Sequence, residues 1–214
     1  MTLNRRDLLA AMAAVAAVGP AHAQGLPRLL CLGDSLTAGY GLPQDQGLVP
    51  QLSQFLHQAG RPAQLINAGI SGDTTYGGRV RIGLSIRRNA PDAVIVELGG
   101  NDMLRKFDPL KSEQNLDAIL TTAREGDRPV LLVGIHAPAG QPDWRREWTQ
   151  IWARLANRHG ALLLQDLYAP IAALPSDQRG PLLQGDGIHP SALGVQRIVQ
   201  HLGPTAAELI AQAA

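Results

Sequence analysis

Residues 29–36 read Leu-Leu-Cys-Leu-Gly-Asp-Ser-Leu, a short apolar run that ends at a glycine and two polar residues. The run lacks the polar alternation of a half-exposed strand, so it predicts a strand that is buried on both faces. Four more such runs follow along the chain, and segments of helical periodicity lie between them. This alternation predicts an α/β fold in which helices cover both faces of a parallel sheet.

The predicted elements are five strands and five helices. The strands are expected at 29–32, 64–67, 93–98, 130–135 and 161–164. The intervening helices are expected at 46–59, 76–88, 112–125 and 144–159. A last helix is expected to begin at Pro190 or Ser191, because proline is tolerated in the first turn of a helix, and Pro204 is expected to interrupt it.

The N-terminus is typical of an export signal. Arg5 and Arg6 precede an uncharged run at 8–18, and small residues follow at Ala21 and Ala23. Cleavage after Ala23 would leave 24–214 as a single domain. The run has about half of the roughly 20 apolar residues that a membrane-spanning helix needs, so we expect no stable membrane anchor. The protein is therefore expected to be periplasmic or secreted, through either a twin-arginine or an ordinary secretion signal.

The charge balance of the remaining chain points to no charged macromolecular partner. Removing residues 1–23 takes away two of 19 basic and one of 18 acidic side chains, which leaves 17 of each. The net charge therefore steers the chain neither towards nucleic acid nor towards an anionic membrane surface. The substrate is expected to be a small molecule and the chain a monomer. The sole cysteine, Cys31, has no disulfide partner and lies in the first apolar run, so it is expected to be a buried core residue.

Polar side chains collect in the loops that follow the first three strands. These loops are Gly33-Asp34-Ser35-Leu36, Gly69-Ile70-Ser71-Gly72-Asp73 and Gly99-Gly100-Asn101-Asp102. Ligands of such sheets bind beyond the carboxyl ends of the strands, and glycine lets the backbone approach a ligand closely. The sequence therefore predicts that the site lies at this edge of the sheet.

Three residues could form a nucleophilic site. Ser35 lies where the first strand ends and a helix is expected to begin, and a serine becomes nucleophilic only beside an oriented base. Asp186 and His189 are three residues apart in a turn before the last helix, a spacing that can bring a carboxylate against one imidazole nitrogen. The glycine pattern around Ser35 differs from the Gly-x-Ser-x-Gly turn of α/β-hydrolases. Of the other histidines, only His136 follows a strand at the same edge, and a substrate contact is the less favoured of its two interpretations.

Acyl transfer also needs hydrogen-bond donors directed at a tetrahedral oxyanion. The backbone N–H groups of Ser35 and Gly72 and the side-chain amide of Asn101 belong to three of these loops. Taken alone, Asn101 is better explained as a turn residue after two glycines. Asp34, Asp73 and Asp102 are expected to hold their loops by accepting bonds from nearby backbone N–H groups.

Four segments of the chain resemble, in the same order, the sequence blocks of the GDSL/SGNH hydrolase family. They are Gly33-Asp34-Ser35-Leu36, Gly72, Gly99-Gly100-Asn101-Asp102 and Asp186-Gly187-Ile188-His189-Pro190. Within the family, residues 33–40, 67–74 and 97–102 are most similar to the bacterial periplasmic thioesterase I, arylesterase and lysophospholipase L1 group. The resemblance covers nearly the whole chain after the export signal.

The resemblance implies a flavodoxin-like, three-layer α/β/α sandwich with strand order 2-1-3-4-5 and no metal or organic cofactor. It also implies roles for the candidate residues. Ser35 would be the nucleophile, His189 the general base and Asp186 the residue that orients the base. Gly72 and Asn101 would complete the oxyanion hole together with the N–H of Ser35.

Two segments could bind the acyl part of a substrate. Met103, Leu104 and Phe107 resemble a loop that closes over the acyl chain in relatives, although an ordinary helix start explains them almost as well. Pro138 lies in a loop that helps to form the acyl pocket in relatives. Here that loop lacks the asparagine and tyrosine of the relatives, so their chain-length preference does not carry over. Trp144, Trp148 and Trp152 share one helical face, which favours packing against the sheet over a substrate platform.

The function favoured by these residues is hydrolysis of carboxylic esters or thioesters through an acyl-enzyme intermediate, on aryl, acyl-CoA or lysophospholipid-like substrates. A deacetylase of polysaccharides could use the same residues, but few aromatic residues are available to stack on sugars. A binding module without turnover is the alternative of a different class, since fold alone does not determine chemistry.

Overall fold

A computed structural model describes residues 25–136 and 141–213. The predicted export signal and Pro138 lie outside the described residues. Five strands form the sheet: β1 (Arg28–Gly33), β2 (Gln64–Gly69), β3 (Ala93–Glu97), β4 (Val130–Val133) and β5 (Leu162–Leu164). Every strand pair is parallel, and the spatial order is β2-β1-β3-β4-β5. The predicted strand order is confirmed.

Eight α-helices are described: α1 (Ser35–Ala38), α2 (Leu48–Gln58), α3 (Thr75–Asn89), α4 (Gly100–Leu104), α5 (Pro109–Ala123), α6 (Pro142–His159), α7 (Ala169–Ala172) and α8 (Ala192–Gln212). Three short 3₁₀ segments lie at Gln44–Gln46, Ser176–Gln178 and Gly180–Leu182. Each of the four intervening helices predicted from periodicity is present within a few residues of its expected bounds. A helix beginning at Ser35 was expected and is present as α1, whereas α4 and α7 were not assigned from the sequence.

Helices cover both faces of the sheet, which confirms the three-layer sandwich. Neighbouring residues of a strand point to opposite faces. Leu29 and Cys31 accordingly pack in one core with α2 and α8, whereas Leu30 and Leu32 pack in the other with α3, α5 and α6. Cys31 is buried as expected, and this burial raises the pKa of its thiol to about 12.

The two edge strands depart from the prediction of complete burial. In β2, Gln64 and Asn67 are exposed and no residue is fully buried, and in β5 only Leu164 is buried. Strands β1, β3 and β4 have a neighbour on each side and are almost entirely buried. The apolar runs therefore predicted where strands form, but burial also depends on position in the sheet.

Helix α8 contradicts the prediction that Pro204 interrupts it. The helix begins after its cap, Ser191, as expected, and then runs unbroken through the proline. Leu202 and Ala206, on either side of Pro204, are both buried against the core. Pro204 itself is exposed, and so is Gln200, the residue whose carbonyl would otherwise accept the missing N–H. Packing along one face of the helix outweighs the loss of one backbone bond.

The tryptophan stripe of α6 packs as predicted. Trp148 and Trp152 are fully buried, and Trp144 packs partly buried beside them. Gly99, at the end of β3, has a φ of 122°, and a side chain there would meet the Trp152 ring at 2.8 Å. The tryptophans therefore hold the loop after β3 in place rather than facing a ligand. Over residues 25–136 and 141–213, no helix combines the length and apolar character needed to cross a membrane.

Candidate active site

Ser35 is the first residue of α1, and only Asp34 separates it from the end of β1, a strand with a neighbour on each side. Asp34 caps this helix, because its Oδ1 accepts the N–H of Leu36 at 3.0 Å. Glycine is needed at Gly33 and Gly69, since a Cβ at either would collide with α1, at Thr37 or at Ala38. The short helix thereby lies close against the ends of both strands. Its first side chain is presented at the carboxyl edge of the sheet, where the sequence predicted the site.

A chain of two hydrogen bonds joins Ser35 to residues about 150 positions away. The Ser35 Oγ lies 2.8 Å from His189 Nε2, and His189 Nδ1 lies 2.6 Å from Asp186 Oδ2. A carboxylate only accepts hydrogen bonds, so the imidazole carries its hydrogen on Nδ1 and offers the Nε2 lone pair to the serine hydroxyl. The structure thus brings together the three residues singled out in the sequence.

Asp186 is held in its ionised form by the turn that it begins. Its carboxylate accepts hydrogen bonds from the His189 side chain and from the backbone N–H groups of Ile188 and His189, at 2.6 to 3.0 Å. These bonds lower the pKa of Asp186 to about 2, chiefly through the His189 contact. A carboxylate that stays charged favours the imidazole orientation seen here.

The turn carrying Asp186 and His189 is closed by Gln184. The Gln184 N–H donates to the His189 carbonyl at 2.8 Å, and the Gln184 side-chain amide donates to the Tyr40 carbonyl at 2.8 Å. The second contact ties this turn to the loop after α1. The Tyr40 ring lies against the imidazole with a centroid separation of 4.6 Å, and the Tyr168 hydroxyl donates to the Ile188 carbonyl. The base is therefore fixed from several sides.

The candidate oxyanion donors lie just beyond the carboxyl ends of β1, β2 and β3, and all three line one cavity. Gly72 has a φ of 80°, and its carbonyl accepts from Arg105 Nη2 at 2.9 Å. Asn101 Nδ2 donates one hydrogen to Asp34 Oδ2 at 3.1 Å. Because the amide carries two hydrogens, the second remains available for a ligand. A donor in this arrangement is fixed before any substrate arrives.

Two carboxyl groups are buried beneath Ser35. Asp34 and Glu97 are each about 2 % exposed, and Glu97 Oε2 accepts the Thr37 hydroxyl at 2.7 Å. Burial raises the pKa of Asp34 to about 6. Burial, and then the negative charge of Asp34, raise the pKa of Glu97 well above its usual range. The second oxygen of Glu97, Oε1, has no hydrogen-bond partner among the described residues.

The acidic loop residues act as expected. Asp102 Oδ2 accepts the Thr75 N–H at 2.9 Å, and Asp102 Oδ1 accepts the hydroxyls of Thr75 and Ser112 at 2.5 and 2.9 Å. Asp73 accepts the Thr74 N–H and pairs with Arg81 at 2.7 Å. Both aspartates therefore fasten the loops after β2 and β3 to the helices behind them.

A cavity of about 510 Å³ opens beside Ser35 and His189. Its walls are mostly apolar, and the apolar lining residues include Met103, Leu104, Ile135, Ile171, Leu183 and Ile188. The volume falls within the range of sites for small organic ligands, which are usually apolar with a few fixed polar groups. The cavity can therefore hold an apolar chain while a polar group meets the serine.

Only some of the residues predicted to bind substrate line the cavity. Met103 and Leu104 line the cavity, and so does His136, which the sequence favoured less. Phe107 is not among the residues that line the cavity, so its role in substrate binding stays a prediction. The Phe107 N–H bonds to the Asp102 carbonyl after a left-handed Lys106, and this turn leaves the ring partly exposed on the outer surface.

Four residues near the site were not identified from the sequence. Glu97 gave a usable signal, because it is the only charged residue in the apolar run at 93–98. Tyr40, Tyr168 and Gln184 gave none, since each acts through a contact that only the folded chain creates.

A parallel sheet in the order 2-1-3-4-5, with a serine directly after its first strand and an Asp-x-x-His turn beside it, defines a class of serine ester hydrolases. The chain belongs to the GDSL-like lipase/acylhydrolase family, which it matches over residues 31–197. It is accordingly a carboxylic ester hydrolase. The sequence prediction of this family and enzyme class is confirmed.

Three relatives illustrate the similarity. The chain is 34 % identical to "Esterase TesA" of Pseudomonas aeruginosa over 85 % of this chain and 89 % of the relative. It is 35 % identical to "Thioesterase 1/protease 1/lysophospholipase L1" of Escherichia coli strain K12 over 76 % and 75 % of the two chains. The solved structure of esterase EstA from Pseudoalteromonas sp., inhibited by monoethylphosphonate, is 30 % identical with a TM-score of 0.76 and covers 85 % of this chain and 97 % of its own.

Proposed function

We propose that Ser35, His189 and Asp186 carry out the ester hydrolysis. The observation that supports this assignment is the pair of contacts from Ser35 Oγ to His189 Nε2 and from His189 Nδ1 to Asp186. The Ser35 oxygen attacks the acyl carbon while its proton passes to His189 Nε2. The resulting imidazolium returns the proton to the leaving alcohol or thiol, and the acyl group stays on Ser35. A water molecule then attacks the acyl carbon while His189 accepts its proton. The bond from the acyl carbon to Ser35 Oγ breaks, His189 returns the proton to Ser35, and the acid leaves.

The negative oxygen of each tetrahedral intermediate is stabilised by the N–H groups of Ser35 and Gly72 and by the amide of Asn101. Support comes from their common position at the cavity wall and from the hydrogen bond that holds Asn101 on Asp34. One such donor is typically worth about 10²-fold to 10³-fold in kcat.

The substrates proposed are esters or thioesters with a mainly apolar acyl or aryl part, as in aryl esters, acyl-CoA thioesters and lysophospholipids. The apolar cavity beside Ser35 supports this class. Deacetylation of polysaccharides remains the less favoured alternative, because Trp148 and Trp152 are buried and offer no surface on which a sugar could stack. Rates on p-nitrophenyl acetate, p-nitrophenyl octanoate, palmitoyl-CoA and acetylated xylan separate the two classes. We expect the octanoate and the thioester to exceed the xylan.

The nucleophile is tested by labelling with a fluorophosphonate. We expect label on wild-type protein, none on Ser35→Ala, and wild-type labelling of Ser53→Ala, a half-buried serine on α2 away from the cavity. Ser35→Ala should keep the wild-type melting temperature, which shows that lost labelling does not reflect unfolding. Phosphonate on another residue of folded protein, or none at all, contradicts the assignment.

The role of the cavity is tested by a Met103→Ser, Leu104→Ser variant assayed against p-nitrophenyl esters of increasing acyl length. We expect the rate on acetate to change little and the preference for longer chains to fall. An unchanged length profile removes these residues from acyl binding.

For the export of the protein, we propose that residues 1–23 are removed and that 24–214 function as a single, periplasmic or secreted, monomeric domain. The support is the basic, apolar and small-residue pattern at the N-terminus. Mass spectrometry of the exported protein should give an N-terminus at Gln24. An Arg5→Lys, Arg6→Lys variant distinguishes twin-arginine export, which it should block, from ordinary secretion, which needs only positive charge there.

A further inference from the structure

The outward face of helix α3 is unusually apolar for a surface helix. Tyr76, Val80 and Leu84 follow one another at intervals of four residues and so share one side of the helix. Their exposed fractions are 65, 68 and 50 %. The opposite side, with Gly78 and Ile82, is buried against the core. The three apolar residues therefore form a stripe with no packing partner in the described part of the chain.

Three exposed cations flank this stripe. Arg79, Arg87 and Arg88 form no salt bridge within residues 25–136 and 141–213, and α3 contains no aspartate or glutamate. The fourth arginine of the helix, Arg81, turns inward to Asp73 and to backbone carbonyls at the strand ends. We call Tyr76, Arg79, Val80, Leu84, Arg87 and Arg88 the α3 face. This face is complementary to an anionic lipid surface, because its apolar residues can contact lipid chains while its arginines contact the anionic head groups.

The start of α3 is bonded to the helix that lines the active-site cavity. Thr75, beside Tyr76, donates to Asp102 of α4, the helix that also bears the cavity residues Met103 and Leu104. Three apolar side chains in and after α4 are also about half exposed: Leu104, Phe107 and Leu110. Lys106 and Lys111 add positive charge there, and the only acid of this stretch, Asp108, caps α5.

We propose that the α3 face rests on an anionic lipid surface and places the cavity mouth against it, so that lipid-borne esters reach Ser35. A second copy of the chain fits the same face poorly, because a two-fold contact would oppose its arginines to one another. The position of Phe107 agrees with this role, since its ring extends the apolar surface outside the cavity. The inference rests on the proposed ester hydrolysis at Ser35 and names where its substrates are presented.

The test measures co-sedimentation of the full chain with vesicles of pure phosphatidylcholine and of phosphatidylcholine containing phosphatidylglycerol. We expect wild type to prefer the anionic vesicles and to lose that preference as salt rises. An Arg79→Gln, Arg87→Gln, Arg88→Gln variant should bind them roughly 100-fold more weakly, from about fivefold for each charge near an anionic surface. The matched control is Arg61→Gln, Arg146→Gln, Arg197→Gln, which removes three exposed arginines elsewhere and should bind like wild type.

A Val80→Ser, Leu84→Ser variant tests the apolar contribution, and it should bind more weakly even at high salt. All variants should hydrolyse the soluble ester p-nitrophenyl acetate at the wild-type rate, because none of the changed residues lines the cavity. Equal binding of the α3 variant and its control overturns the inference alone, as does a dimer that the α3 substitutions dissociate. Absence of wild-type turnover on soluble esters instead overturns the proposed hydrolysis at Ser35.

Discussion

Two aspartates lie near Ser35, Asp34 beside it in the chain and Asp186 beyond His189, and their pKa values shift in opposite directions. Asp186 lies in an exposed turn, where the His189 side chain and two backbone N–H groups lower its pKa to about 2. Asp34 is buried at the start of α1, and desolvation raises its pKa to about 6. The surroundings of the two aspartates thus shift their pKa values in opposite directions, as is common where two carboxyl groups have different tasks.

The distances to Ser35 show which task belongs to which aspartate. The serine hydroxyl lies 2.8 Å from His189 Nε2, within the usual range, but 3.5 Å from Asp34 Oδ1, at the outer limit for a hydrogen bond. Asp34 is instead occupied by the Leu36 N–H and the Asn101 amide. Asp186 therefore orients the base on the exposed side, whereas Asp34 positions the loop and a donor on the buried side.

The largest expected effect on activity comes from substitution of Asp186, the aspartate in the exposed turn. Asp186→Asn replaces an acceptor by an amide, which favours the wrong imidazole tautomer. We expect kcat to fall by about 10³-fold to 10⁴-fold, the size known for the equivalent change in another serine hydrolase. The melting temperature should change little. Asp45→Asn, an exposed aspartate in the Gln44–Gln46 segment, serves as the control and should keep wild-type activity. A loss of less than tenfold for Asp186→Asn rules out the orienting role.

The Asp186–His189 contact was predictable because both residues lie in one turn, where spacing alone limits the geometry. Ser35 was predictable from its position at the end of an apolar run. The tasks of Glu97 and Tyr168 were not, because their partners Thr37 and Ile188 lie 60 and 20 positions away. Local patterns in the sequence carry no information on such pairs.

The fold followed from the sequence for a similar reason. The positions of strands and helices depend on local periodicity, and these predictions are confirmed. The exposure of β2 depends on its place at the sheet edge, and the continuity of α8 through Pro204 depends on packing that spans the proline. The predictions that failed required knowledge of neighbours that lie far away in the chain.

An intermediate effect on kcat is expected from substitution of Asn101, the candidate oxyanion donor that is bonded to the buried Asp34. Asn101→Ala should lower kcat by about 10²-fold to 10³-fold, with a smaller change in KM, because the lost hydrogen bond forms only in the transition state. Asp34→Ala should cause a similar loss by releasing Asn101. The double variant should then be hardly worse than the more impaired single variant, since both remove the same interaction. Losses that multiply would show that Asp34 acts independently of Asn101.

The smallest effect concerns stability and comes from Glu97. Its pKa is raised in the folded protein, so the unfolded chain releases the proton at lower pH than the folded one. The contribution of Glu97 to the free energy of unfolding is therefore most favourable below the ordinary glutamate pKa of 4.5, and it falls as pH rises towards the raised value. Glu97→Gln removes this titration while an amide oxygen still accepts from Thr37.

We accordingly expect the melting temperature of Glu97→Gln, relative to wild type, to rise as pH increases from about 4 to about 8, by a few degrees in total. At the acid end the variant should be no more stable than wild type, because its new amide N–H₂ would occupy the place of Oε1, which has no partner in the described structure. Gln54→Ala, on the exposed side of α2, is the control and should shift the melting temperature equally at every pH. A constant difference for Glu97→Gln would mean that Glu97 titrates as in the unfolded chain. The contrast between an exposed carboxyl group whose pKa is lowered and buried carboxyl groups whose pKa values are raised would then be wrong on its buried side.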